Sequence, residues 1–270
     1  MDFGKQRGKS GLMRFIAVIL CAGVGSRMGS QPDINKCAMS FCGTSAIGHT
    51  VKSLSAAGVK RIVVVVGHAE QSVREALMGL HIDADIMFVR NEKYDFHGCN
   101  YSVACGVLAV SEESNRLIIA EGDSLLHSLS IQQVVGSFAE SAALVRSPNY
   151  VDHRRSVIAI GIDGKITRYA YDQNHAGKLP ELSANESIIG ESMQLWSFSG
   201  THLKELRALL LEYKKTADSS MSPRTESGVY SINMLKTHAT PIMSTLPNEW
   251  ININTQNDLE KAKVLKWTLK

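Results

Sequence analysis

The 270-residue sequence predicts one α/β domain on a mixed, mostly parallel sheet, with a smaller antiparallel addition in its second half. Three observations lead there. The first half alternates short β-branched runs with helical patterns, the signature of βαβ units. Two of those runs, Ile16-Ala17-Val18-Ile19-Leu20 and Val63-Val64-Val65-Val66, are apolar throughout, as strands covered on both faces have to be. Beyond about residue 150 the rhythm changes. There Asp163-Gly164 separates two β-type runs, and both residues tolerate the positive φ of a tight hairpin.

In order, Phe15–Cys21 reads as the first strand and 45–57 as a helix with Ile47, Val51, Leu54 and Val59 on its apolar side. A strand over 61–67, a short helix over Glu70–Leu77 and a strand over Asp85–Arg90 follow. Next come a helix over 101–110, a strand over Arg116–Glu121, a helix over 130–138 and a strand over 142–146. The hairpin pairs 157–162 with Lys165–Ala170, and a strand over 193–198 leads to a helix over 201–213. The segment 216–227, rich in Ser, Thr and charge, is expected as a surface loop over the site. Short strands over 240–244 and 250–253 and an amphipathic helix over 255–267 complete the order. No repeat or long linker divides the chain, so residues 14–270 are expected as one domain and 1–13 as a mobile basic extension.

Composition removes whole classes of function. With 44% apolar and 20% charged residues the chain buries a core and is not disordered. Twenty-nine Lys and Arg against 26 Asp and Glu leave a net charge of +3, too thin for a nucleic-acid footprint. Five cysteines without a CxxC pair suit reduced thiols rather than a disulfide framework or a zinc site. No apolar run has the length of a membrane span. Lys5, Arg7, Lys9 and Arg14 before the apolar run 15–22 imitate a signal peptide, but cleavage after Ala22 would remove the first strand. A cytoplasmic chain is expected, with Met13 as a possible alternative start.

Directly after the first strand stands Leu20-Cys21-Ala22-Gly23-Val24-Gly25-Ser26-Arg27-Met28-Gly29. Glycines let backbone N–H groups approach phosphate oxygens. A dinucleotide fold would want an acid at the tip of strand two, which ends instead at Gly67-His68. A P-loop would close on Gly-Lys-Ser/Thr, which is absent. Arg27 within the loop and Lys36 shortly after it suit a triphosphate, and suit better a leaving pyrophosphate that gains charge.

The segment resembles the L-x-A-G-x-G-x-R-M-G signature, with its following lysine, of the nucleotidyltransferase superfamily that makes NDP-sugars, CDP-alcohols and molybdopterin dinucleotides. Phe41-Cys42-Gly43-Thr44-Ser45-Ala46-Ile47 loosely resembles the family's F-G-G-x-P-L-I run, with Ser45 for proline. The resemblance implies a Rossmann-like three-layer domain. It also implies nucleotide contacts from Leu20, Ala22, Gly23, Gly25 and Ser26, with Arg27 and Lys36 acting on the phosphates.

Ile118-Ile119-Ala120-Glu121-Gly122-Asp123 is an apolar strand ending in acids, where ligands bind in parallel sheets. An Asp there can hold Mg²⁺ against nucleotide phosphates, or cap the next helix, a task Ser128 or Ser130 could take instead. The resemblance makes Asp123 the metal ligand and sets Glu121 beside the nucleotide. Trp250 to Leu259 resembles the family's W-x-E-I-D-T-x-x-D-L run, with Asn254 in place of the second ligand acid. Asn254 is thus either an uncharged metal ligand or merely the residue before a Thr255 helix cap.

Asn91, Tyr94, Asn100 and Ser102 resemble the Asn–Tyr–Asn–Ser run of cytidylyltransferases acting on phosphocholine and on phosphonates such as 2-aminoethylphosphonate. In that reading Asn91 and Ser102 face the base; in the other, Asn100 or Ser102 only caps a helix. His153, Arg154 and Arg155 are candidates to hold the acceptor anion, with Arg154 and Arg155 preferred. Glu191 is a further acceptor candidate that could meet a cation, and Glu226 a weaker one. A choline-type acceptor would want an aromatic cage, for which Tyr169, Tyr171 and Tyr230 are available. With aromatics at 6%, a small phosphonate is favoured over phosphocholine.

The expected activity is Mg²⁺-assisted transfer of CMP from CTP to a small phosphonate or phosphate monoester, with release of pyrophosphate. The partners are small molecules rather than nucleic acid or membrane, and the assembly is a monomer or a homodimer. Two alternatives stay open. One is a molybdopterin or sugar-1-phosphate nucleotidyltransferase; the other is a nucleotide-binding regulatory protein that has lost catalysis, which Asn254 would permit.

Overall fold

The computed structural model describes residues 15–28, 33–110, 116–172, 174, 176–222, 232–233, 235, 238–244 and 249–265. The expected extension 1–13, Gly29, Glu226 and Tyr230 lie outside them. The described elements are β1 (Phe15–Cys21), β2 (Ser40–Phe41), β3 (Thr44–Ser45), α1 (Ala46–Ala56), β4 (Arg61–Val66), α2 (Glu70–Leu77), β5 (Asp85–Arg90) and α3 (Cys99–Ala109). They continue with β6 (Arg116–Glu121), β7 (Ser124–Leu126), α4 (Ser128–Val135), β8 (Ser141–Arg146), β9 (Ile158–Ile162), β10 (Lys165–Ala170), β11 (Ser187–Ser199) and α5 (Gly200–Ser219). Last come β12 (Thr240–Met243), β13 (Trp250–Asn252) and α6 (Gln256–Lys263).

β1 lies between β4 and β6, parallel to both, and β5 extends the parallel half beyond β4. That central place explains its unbroken apolar run. Alternate residues serve opposite layers: Ile16, Val18 and Leu20 pack with α3 and α5, whereas Ala17, Ile19 and Cys21 pack with α1, α2 and α4. The order of the sheet is β10-β9-β11-β6-β1-β4-β5, with β8 on β11 and β12 on β8. β11 runs antiparallel to β6 and divides its length among β6, β8 and β9. The hairpin turn between β9 and β10 forms as its residues foretell, with φ of 49° at Asp163 and 71° at Gly164. The sheet is therefore parallel where the glycine motif sits and mixed beyond it, with β11 antiparallel to its neighbours and β12 parallel to β8.

Several element ends shift by a few residues, and three further differences have clear physical causes. The helix over 201–213 continues to Ser219, because Tyr213 and Ala217 prolong the buried stripe of Leu203, Leu206 and Leu210; residues 216–219 are thus helix, not loop. The strand over 193–198 starts at Ser187, because Ser187, Ile188, Gly190 and Glu191 pair with β9. β7 escaped the sequence reading because three residues form a strand only by pairing with β13. No disulfide joins any of the five cysteines. Among the described residues no helix is long and apolar enough to cross a membrane.

Candidate active site

β1 and β6 end side by side, with Leu20 in register with Glu121. Here the chain has to be thin. The Gly122 N–H donates to the Leu20 carbonyl at 2.9 Å, and a Cβ on Gly122 would stand 2.3 Å from Cys21 Sγ. Gly25 holds φ +66°, and a Cβ there would lie 3.2 Å from Lys36 Cδ, so glycine leaves room for the lysine stem.

Lys36 opens a short 3₁₀ turn capped by Asn35, whose Oδ1 accepts from the Cys37 N–H at 3.0 Å. The Asn35 amide also donates to the carbonyls of Cys21 at 2.8 Å, His68 at 3.0 Å and Gly23 at 3.3 Å. This wholly buried amide ties the ends of β1 and β4 to the turn that carries Lys36. The sequence reading passed over it. Its signal was a lone polar side chain directly before a basic residue of the motif.

The Lys36 ammonium is ion-paired with the Asp123 carboxylate and donates to Asn254 Oδ1 at 3.3 Å. Arg27 Nη2 donates to the same oxygen at 2.8 Å. Four predicted residues, far apart in sequence, thus converge at one point. Asp123 does not cap α4, whose N-cap is His127 rather than Ser128 or Ser130. Asn254 has the place its helix-cap reading gives it, and its side chain also takes part in this cluster. It precedes Thr255, which forms a capping box with Asp258, and its side-chain oxygen still turns to the two cations.

Burial alone would lower the Lys36 ammonium, but Asp123, helped by Cys37 and Glu121, raises it above the ordinary value. Burial, then the Asp123 charge, push the Glu121 carboxyl up to about 8 against the pull of Lys36. The Asp123 carboxylate and the Asn254 amide oxygen already converge on a cation, here the ammonium. Two hard oxygen donors suit Mg²⁺, which takes one or two protein ligands and completes its shell with water and phosphate oxygens. Among the described residues no three His, Cys, Asp or Glu side chains form a cage of their own.

A cleft of about 1190 Å³ opens over this point, and Leu20, Ala22, Gly23, Glu121 and Ser102 face it. Ser26 opens the exposed turn beside Arg27. Asn91, expected to face the base, stands behind Ser102 instead: it is fully buried and donates to Ser102 Oγ at 2.9 Å. The capping reading of Ser102 and Asn100 also falls, since α3 is capped at Gly98 without a side-chain bond.

The far end of the cleft is built from the antiparallel half. Arg146, at the end of β8, lies in register with Glu191 on β11 and is ion-paired with Glu191 Oε2. Ser156 Oγ donates to Glu191 Oε1 at 2.6 Å. Burial raises the Glu191 carboxyl, outweighing the lowering by Ser156 and Arg146. The Arg146 guanidinium lies 4.9 Å from the ring centre of Trp250 and 5.2 Å from that of Tyr150. Arg154 and Arg155, in the turn that leads to Ser156, also line the cleft, as does Tyr171, which lies within reach of the charges of Arg27, Glu121 and Lys36; His153 does not line it. Tyr169 is corrected from a possible cage residue to a core residue, buried and accepting from Trp196 Nε1 at 3.1 Å. Between the two ends, Gln194 at φ 60° accepts from Ser124 Oγ at 2.6 Å and Asn252 Nδ2 at 2.8 Å.

Comparison with known proteins fits this geometry. A family model described as the MobA-like NTP transferase domain matches residues 17–221. A CMP-5'-(3-aminopropyl)phosphonate synthase from Streptomyces rubellomurinus is 28% identical over 162 residues, covering 60% of this chain and 25% of that protein. A bifunctional protein GlmU from Syntrophomonas wolfei is 34% identical over 131 residues, covering 48% and 27%. The chain spans about a quarter of the length of these curated relatives. Among solved structures, the inositol-1-phosphate CTP transferase from T. maritima superposes with a TM-score of 0.67 at 18% identity, covering 91% of each chain. The CTP:phosphocholine cytidylyltransferase from Streptococcus pneumoniae does so with 0.63 at 14%, covering 93% of this chain and 98% of the other. The chain belongs to the MobA-like NTP transferase family.

Proposed function

From that family membership, we propose that the chain is a CTP-dependent cytidylyltransferase that joins CMP to a small phosphonate or phosphate monoester and releases pyrophosphate. The convergence of Lys36, Arg27, Asp123 and Asn254 at the mouth of the parallel strands, in a cleft that continues to a second group of guanidiniums, carries the reading. One basic group serves the triphosphate and the other the acceptor anion.

Asp123 and Asn254 would hold Mg²⁺, which when bound neutralises phosphate charge and templates in-line displacement. Lys36 is held charged and buried, so it meets the growing charge of the leaving pyrophosphate with little reorganisation. Arg27, on the exposed turn, adds a second cation for the same oxygens. Ser102 Oγ already accepts from Asn91, which leaves its own proton to donate to an acceptor atom on the edge of cytosine. Arg154 and Arg155 orient the acceptor so that its oxyanion attacks the α-phosphorus; no side-chain nucleophile is required.

Relatives named in curated collections favour one other reading. The GlmU similarity supports a sugar-1-phosphate acceptor. Pyrophosphate release with CTP, UTP, GTP and ATP, each against phosphonates, phosphocholine and sugar 1-phosphates, decides between them. CTP with a phosphonate or phosphate monoester is the expected best pair. Higher kcat/KM with another nucleotide or with a sugar 1-phosphate replaces this reading by the second. CTP binding without pyrophosphate release in the presence of any of these acceptors, with Mg²⁺ present, points instead to a regulatory protein.

A further inference from the structure

A site for a cationic head group needs two things: a carboxylate with an open oxygen, and aromatic faces clear to receive the charge. At the acceptor end of this cleft the buried carboxylate Glu191 and the rings beside it are already occupied. Glu191 is buried, with Oε2 held by Arg146 and Oε1 by Ser156. The faces of Trp250 and Tyr150 carry the same Arg146 guanidinium, at 4.9 and 5.2 Å. Asp152, at the rim, accepts from the Arg154 N–H at 3.0 Å and lies in the turn that bears Arg154 and Arg155.

We infer that the acceptor carries no positive charge at the end away from its phosphorus, and that Arg146 is the residue that selects it. This rests on the cytidylyltransferase reading above and names the substrate class for it. The guanidinium fills the position a ligand ammonium would take, pairs with the carboxylate that ammonium would seek, and covers the rings that would cage it. Arg146 remains 32% exposed, so part of its donor edge still faces the cleft. That edge suits a hydroxyl or carboxylate on the acceptor. An ammonium there would meet Arg146, Arg154 and Arg155, with the exposed Asp152 carboxylate at the rim as the counter-charge left to it.

The test uses the full chain, CTP and Mg²⁺ with ethylphosphonates that differ only in the group on the far carbon: hydroxyl, carboxylate, primary ammonium or trimethylammonium. Pyrophosphate release is expected to give kcat/KM at least about tenfold higher for the hydroxyl or carboxylate compounds than for either cation. Equal or better use of the cations overturns the inference. Arg146→Met keeps much of the stem but frees Glu191 and both rings, so the preference should shift about tenfold toward the ammonium compounds. An unchanged preference in a folded variant overturns the role of Arg146. Glu191→Gln is the second variant. It keeps the shape while freeing the Arg146 charge, and should lower the KM of the carboxylate compound with little change for the hydroxyl one; equal changes count against the inference.

If no acceptor is turned over, the cytidylyltransferase reading itself falls, and calorimetric binding of the same phosphonates decides this one. Tighter binding of the hydroxyl or carboxylate compounds supports it, and tighter binding of the cations overturns it.

Discussion

The two ends of the cleft are built on different principles. At the phosphate end, backbone dominates: the tips of β1 and β6 lie in register, Gly25 and Gly122 thin the chain, and the buried Asn35 amide knots three carbonyls together. At the acceptor end, side chains do the work. Arg146, Glu191, Ser156 and Trp250 come from β8, β11, a loop and β13, and meet through one ion pair, one hydroxyl and two ring faces. A triphosphate is the same in every nucleotide, so a backbone scaffold that is hard to alter suits it. Acceptors differ, and a surface of exchangeable side chains can follow them without disturbing the sheet.

The contrast breaks most visibly at Lys36. Lys36→Ala should lower turnover by about a thousandfold, because a preorganised cation aimed at developing charge contributes a few kcal/mol to the transition state. Pyrophosphate release within tenfold of the wild type would remove Lys36 from the mechanism. Asn35→Ala tests whether the phosphate end is scaffolded as argued. It strips a donor from buried carbonyls and should cost about 2–3 kcal/mol of stability, read from urea unfolding. Arg154→Ala, at the exposed rim, should change stability by less than about 0.5 kcal/mol in the same measurement. Similar losses in the two variants would erase the distinction.

Asn254→Asp sharpens the metal question. A charge added opposite Asp123 should lower the half-saturating Mg²⁺ concentration about tenfold, equivalent to about 1.4 kcal/mol. An unchanged Mg²⁺ requirement would mean that Asn254 serves only Arg27 and Lys36. The smallest effect is expected for the pair Arg154→Ala and Arg155→Ala. Exposed cations act through screened attraction, so the acceptor KM should rise about fivefold while the KM for CTP stays constant.

Legibility in the sequence followed the same divide. β1, β5, β6 and α2 stand where their periodicity placed them, because each carries a complete pattern within its own few residues. Arg27 and Lys36 were legible because they stand at fixed spacing from a glycine loop. Arg146 was not: nothing around it in the sequence distinguishes it from a surface arginine. Its identity depends on Glu191 across a strand pair and on Trp250 from the far end of the chain. Gln194 left a trace, a polar residue inside an apolar run, yet its partners Ser124 and Asn252 come from another small sheet.

Tyr169 shows how residue type alone misleads. As an aromatic near a basic cluster it resembled a cage residue, but strand alternation turns it inward, where its hydroxyl serves Trp196. Asn91 was drawn to the site by its neighbours and stands one layer behind it. In both cases the side chain faces where the local backbone sends it, and one sequence cannot show which face the core takes.

By itself the sequence determined the α/β class, the parallel half and the glycine-rich turn that carries Arg27, since these rest on local periodicity and on glycines that a few residues define. The tertiary structure alone decided that Asp123, Asn254, Arg27 and Lys36 share one point, and that Arg146 pairs with Glu191 against the rings of Trp250 and Tyr150. Those arrangements depend on contacts between segments more than a hundred residues apart in some cases, such as Asn254 with Lys36. Such contacts are set by how strands register and layers pack, and no short stretch of sequence contains them.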